Sequence, residues 1–134
     1  MRIASKAVSV IALAGCAVAF CGAGAHAQDR IALKSGESVE LGTVYWVSNC
    51  RSIMLGLPEA EILEGPPGVT LSIKEGMVLP RRQSCATQVP GGTLVLTARD
   101  ITEPAVAKLT YRIKYKTKDG DRLRGNVYLV SVFP

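Results

Sequence analysis

The side chains with chemical potential fall into a few groups. They are Cys50 and Cys85, the pair Arg81-Arg82, the carboxylates Glu59, Glu61 and Glu64, and Asp119 and Asp121 around Gly120. A run of bases completes the set: Arg112, Lys114, Lys116, Lys118, Arg122 and Arg124. Histidine occurs once, as His26, inside an N-terminal segment that reads as a removable export signal. Once that segment is gone, a Ser-His-Asp or Cys-His constellation and a histidine-ligated metal site are out of reach. Neither carboxylate group has the spacing of a calcium loop, and Asp119-Gly120-Asp121 is a turn signal. The sequence therefore predicts a chain that is not an enzyme, with no catalytic residue, metal or cofactor.

The export signal is Met1 to Ala27. Arg2 and Lys6 supply the charged start, Ala7 to Phe20 the apolar stretch, and Ala25-His26-Ala27 a small-x-small cleavage site. The apolar run is too short for a transmembrane helix. Leu13-Ala14-Gly15-Cys16 resembles a bacterial lipoprotein box, and lipid attachment at Cys16 is the competing outcome. Either route delivers residues 28–134, one domain, to the periplasm or the exterior of a bacterium. In that oxidising compartment Cys50 and Cys85 are expected to form a disulfide, worth about 2–4 kcal/mol.

The elements that must position these groups read as strands. Arg30 to Lys34 and Ser38 to Val47 flank a Ser35-Gly36-Glu37 turn; Ser52 to Leu57 is an apolar run stopped by Pro58. Glu59 to Leu63 alternates weakly, and Glu64-Gly65-Pro66-Pro67-Gly68 turns the chain. Val69 to Ile73 alternates clearly, Gly76 reads as a turn into Met77-Val78-Leu79, and Pro80 to Gly92 reads as loop. Thr93 to Ala98 is a further strand. The strongest signal is the hairpin Lys108 to Phe133, in which Leu109, Tyr111, Ile113, Tyr115 and Thr117 share one face. Trp46, the only tryptophan, reads as core or as cover for the disulfide. Short strands punctuated by Gly/Pro turns, with no helical period, predict an all-β sandwich.

The order Asn49-Cys50, Pro58 to Leu63, Gly65-Pro66-Pro67-Gly68-Val69-Thr70, Cys85, Val89-Pro90-Gly91 and Leu109-Thr110-Tyr111-Arg112-Ile113 ending at Asp119-Gly120 resembles bacterial Ig-like (cadherin-like) domains. The resemblance spans most of residues 38–134. It implies a single antiparallel Ig-like sandwich with a disulfide, of a kind that serves as an adhesive or structural module. Trp46 precedes the first cysteine, so the antibody-type pattern is not met.

Charge is uneven. Residues 28–80 carry four bases and seven acids, and residues 81–134 carry ten and four. This asymmetry implies either complementary packing inside the domain or an anionic partner outside it. A three-residue Asp119-Gly120-Asp121 loop would pair Tyr111 with Leu129, Ile113 with Val127 and Tyr115 with Gly125, keeping that face apolar. Arg112, Lys114, Lys116, Lys118, Arg122 and Arg124 would then share the opposite face as an anion-binding stripe. Lys116 would face Arg124 and Lys118 would face Arg122, each pair costing about 0.2–1 kcal/mol. The expected function is a non-enzymatic secreted or periplasmic interaction module. Its expected partner is an anionic envelope component or an acidic protein, the compartment arguing against nucleic acid. The alternative is a small enzyme, or a protease inhibitor presenting the Arg81-Arg82 loop; nothing in the sequence sets an oligomeric state. Mass analysis of the exported protein should find an N-terminus at Gln28 with no lipid. Detergent partitioning abolished by Cys16→Ser is the result that would replace cleavage after Ala27 with lipidation.

Overall fold

Strand follows strand from Arg30 to Phe133 in the computed structural model, which describes residues 29–134. The expected export signal, Cys16 and the expected cleavage point before Gln28 lie outside these residues. In chain order the strands are β1 (Arg30–Lys34), β2 (Ser38–Val44), β3 (Val47–Ser48), β4 (Arg51–Ser52), β5 (Glu59–Glu64), β6 (Val69–Val78), β7 (Val89–Ala98), β8 (Ala105–Thr117) and β9 (Gly120–Phe133). A single 3-10 turn, Arg81–Gln83, stands between β6 and β7. No helix of the described residues is long and apolar enough to cross a membrane.

The strands form an all-β sandwich. One sheet has the order β1-β9-β8-β5, the other β2-β7-β6, and β3-β4 is a separate ribbon. Pairing is antiparallel except where β1 lies parallel to β9, with Arg30 opposite Leu129 and Lys34 opposite Phe133. The core lies between the sheets. Leu109, Tyr111, Ile113, Tyr115 and Thr117 of β8 are all buried, as their alternation predicts, against Leu94, Leu96 and Ala98 of β7. Each aliphatic chain removed from water in this way contributes about 1.5–3 kcal/mol.

The hairpin register departs from the sequence expectation by three residues. The turn is Lys118-Asp119, and Gly120, at φ +103°, is already the first residue of β9. Tyr111 lies opposite Asn126, Ile113 opposite Arg124, and Tyr115 opposite Arg122. The expected pairs Lys116–Arg124 and Lys118–Arg122 do not form; Lys116 faces Asp121, and Lys118 sits in the turn. The physical reason lies at both ends of β9. At its far end Val130 and Val132 are fully buried, while Val127 and Leu129 are only half-buried. At its near end the row shared with Val130 holds Arg122 and Arg124, but the sandwich is open there, so both stay solvated and no charge is buried.

The six bases consequently do not form one stripe. Arg112, Lys114 and Lys116 lie on the outer face of the sheet, whereas Arg122 and Arg124 lie on the inner row. On the outer face Glu59 of β5 stands opposite Lys114, and Glu61 opposite Arg112. Arg112 Nε donates to Glu61 Oε2 at 2.9 Å, and Lys114 Nζ lies 3.6 Å from Asp121 Oδ2. The acidic and basic halves of the chain meet here. Each exposed pair contributes less than about 1 kcal/mol, but together they replace the repulsion that the other register would create.

Gly76 does not turn the chain, because β6 runs straight through it and pairs Gly76 with Gly91. The segment from Val89 to Gly92 likewise belongs to β7 and not to a loop. Gly91 and Gly92 make this possible. A Cβ on Gly91 would run into the Val44 carbonyl oxygen and lie 2.8 Å from Val78 Cγ2; one on Gly92 would meet Ile73 Cγ2 at 2.7 Å. Glycine here lets β2 and β6 close on β7.

Cys50 and Cys85 form a disulfide spanning 35 residues. Asn49 and Cys50 both have positive φ, 52° and 59°, and form the tight turn of the β3-β4 ribbon. Cysteine rarely takes this conformation unaided, and the bond to the buried Cys85 holds it there. Gly91→Ala should lower unfolding free energy by about 1–3 kcal/mol, read from urea denaturation. Wild-type stability would mean that β2 does not close on β7 as described.

Candidate functional site

The side of the sandwich between β2 and the first half of β9 is open. β1 covers β9 only from Leu129 onward, and β2 has a single neighbour, β7. β2 carries a bulge between Glu40 and Gly42, which bends a strand locally, and after Val44 the chain leaves the sheet at Tyr45 and Trp46. The Trp46 carbonyl accepts the Ile53 N–H at 3.0 Å, tying this exit to the segment after the β3-β4 ribbon.

Trp46 is half-buried and packs on Tyr115, with ring centroids 5.1 Å apart and planes inclined by 58°. The Arg124 guanidinium carbon stands 4.2 Å above the centre of the Trp46 ring. A cation in that position is attracted by the electron-rich ring face, by about 0.5–1 kcal/mol where water has access. The indole thus does more than cover the core, because it fixes a charge at the mouth of the cleft. Beside it Tyr111 and Tyr128 stack with centroids 6.0 Å apart and planes within 10°. Asn126 accepts the Val127 N–H on its own Oδ1 at 2.8 Å.

Arg124, Tyr111, Tyr115, Tyr128 and Asn126, with Tyr45 and Arg82, line a cleft of about 370 Å³, and Trp46 reaches it through Arg124. Arg82 arrives from the 3-10 turn that follows the buried Pro80, a turn held close to the disulfide through Cys85. Two guanidinium groups therefore border one cleft, and no carboxylate is among the residues lining it. Among the described residues neither arginine forms an ion pair. The outer face offers the contrast. Its depression, of about 560 Å³, mixes Glu59, Glu61 and Asp121 with Arg112 and Lys114, so its field is largely cancelled.

Of the six bases expected to form one stripe, Arg124 alone lines this cleft, Arg122 precedes it on the same row, and Lys118 lies in the turn; Arg82, expected with Arg81 in a protease-facing loop, lines the cleft too, and Arg81 does not. Arg82, Trp46, Tyr45 and Asn126 were not in that set. Their convergence joins three separate stretches of chain, and local periodicity carries no trace of it. The one usable signal was the alternation of Arg122, Arg124, Asn126 and Tyr128, which marks a polar row continuing into a core row.

Burial pushes the Tyr111 hydroxyl well above its ordinary range, with the charge and hydrogen bond of Tyr128 acting in the same direction. Burial also raises Tyr115, opposed by the positive charge of Arg124. Both are neutral hydrogen-bonding groups at any physiological pH. Because the folded pKa values exceed the unfolded ones, their stabilising effect is complete below pH about 10 and declines as pH rises beyond it. Ultraviolet titration should show tyrosines that ionise only as the protein unfolds in alkali. Uniform ionisation of every tyrosine near pH 10 in folded protein would contradict this.

No protein family, curated protein or solved structure matches the chain.

Proposed function

We propose that this chain is a non-enzymatic, exported interaction module of Ig-like architecture that works in the bacterial periplasm or outside the cell. It holds an anionic partner on the open flank of its sandwich. The observation that carries this reading is Arg124 seated over Trp46 beside Arg82, in a cleft without carboxylates. On the outer face of the hairpin Arg112 pairs with Glu61 and Lys114 with Asp121. A cation held in place by a ring face and left without a counter-ion favours an anion supplied from outside. The Cys50–Cys85 disulfide supports the compartment, since a chain stapled in this way suits an oxidising environment, and the N-terminal segment reads as an export signal. The helical turn at Arg81–Gln83 brings Arg82 to the cleft and so gives Arg82, but not Arg81, a place in binding.

Labelled poly-glutamate is a suitable probe, followed by fluorescence anisotropy at low salt and at about 150 mM salt, where screening shortens the reach of charge to about 8 Å. Binding should weaken with salt. Arg124→Glu should cost about tenfold or more in affinity, the scale of a lost charge-assisted contact. Lys116→Glu, on the outer face, should change affinity by less than about twofold. Equal losses for the two variants, or no salt-sensitive binding, would overturn the assignment.

A further inference from the structure

Resting on that reading, we infer that the partner is an extended acidic peptide that adds itself as a strand to the uncovered edge of β9. The Leu129 N–H donates to the Asp29 carbonyl at 2.9 Å, which is where the cover provided by β1 ends. Strand alternation then points the N–H and C=O groups of Val127, Gly125, Leu123 and Asp121 to the same open side. The Val127 N–H is capped by Asn126 Oδ1. Gly125 and Leu123 have no strand beside them on that side among the described residues. This is a row of backbone donors and acceptors long enough for a visiting strand of about five residues.

The same row specifies the visitor. Side chains of an added strand would alternate between two environments. On the inner side they would lie beside Arg122, Arg124 and Asn126 and over the cleft, within the field of Arg82. On the outer side they would lie beside Leu123, which is 60% exposed, and the half-buried Val127. The matching sequence alternates acidic residues with β-branched apolar ones. Inward-pointing charge is a known guard against indiscriminate edge pairing. Here it rejects neutral and basic strands while leaving an acidic one welcome. It also rejects a second copy of this chain through the same edge, because antiparallel pairing of two β9 edges would bring Arg122 and Arg124 of both copies together.

The test uses the mature, oxidised protein and a labelled peptide of about seven residues alternating Val and Asp. A control peptide carries the same residues in two blocks. The alternating peptide should bind about tenfold more tightly. Leu123→Pro removes an N–H that faces the open side and spares the bonds to β8. It should abolish this preference while near-ultraviolet circular dichroism and thermal midpoint stay native. A second measurement needs no variant protein. Methylating every other backbone nitrogen of the peptide in one phase should block binding, and methylating the alternate phase should not. Loss of affinity in Arg124→Glu, with no effect of Leu123→Pro or of methylation phase, would leave the anion-binding cleft standing and remove strand addition. Indifference to Arg124→Glu as well, or absence of binding by either peptide, would remove both.

Discussion

Thr117 closes the hairpin from inside the protein. Its hydroxyl, on a residue only 4% exposed, donates to the Gly120 carbonyl at 2.6 Å and accepts the Asp119 N–H at 3.2 Å. These bonds place the turn at Lys118-Asp119 and so set the register for all thirteen residues of β8. A register choice in a sheet acts on every side chain beyond it, since a slip by an odd number of residues exchanges the two faces. Val130 and Val132 go into the core as a result, and Arg124 is carried to the rim of the cleft. The packing of the core and the character of the cleft thus depend on one buried hydroxyl and the turn it organises.

Charge is distributed according to how far each face can find partners within the domain. The outer surface of β5, β8 and β9 carries acids and bases in neighbouring positions, and its cations are largely neutralised by the chain itself. The open flank carries two arginines and no lining carboxylate. Such a difference costs little stability, because exposed ion pairs are weak. Its consequence is in the electric field, which is directed at one place and not spread over the molecule.

The cleft is held by parts that are packed on or bonded to one another. Gly91 and Gly92 allow β2 and β6 to approach β7 closely, which sets the position where Tyr45 and Trp46 leave the sheet. The disulfide joins the β3-β4 ribbon to the segment that presents Arg82. Tyr115 supports Trp46 from the core side, and Trp46 in turn supports Arg124. Fixing long side chains on rigid neighbours reduces the entropy lost when a ligand arrives.

By itself the sequence determined the strand-rich architecture, the pairing of Cys50 with Cys85 and the buried row of β8. The pairing follows from the fact that only two of the four cysteines lie beyond Ala27, and the strands follow from local alternation and turn residues, legible over a few neighbouring positions. Gly76 and the Val89–Gly92 segment were misleading for the same reason, since glycine and proline punctuate loops locally and only a close neighbour shows that a strand needs them. The register of β9 was beyond local reading because Val127 to Phe133 is apolar on both faces, so either row fits a core. Tertiary structure decided it, since burial of Thr117 fixes the turn and the same register buries Val130 and Val132 and leaves the sandwich open around Arg124. That opening exists only when two sheets and a short β1 are in place, and the meeting of Trp46, Arg82 and Arg124 exists only with it.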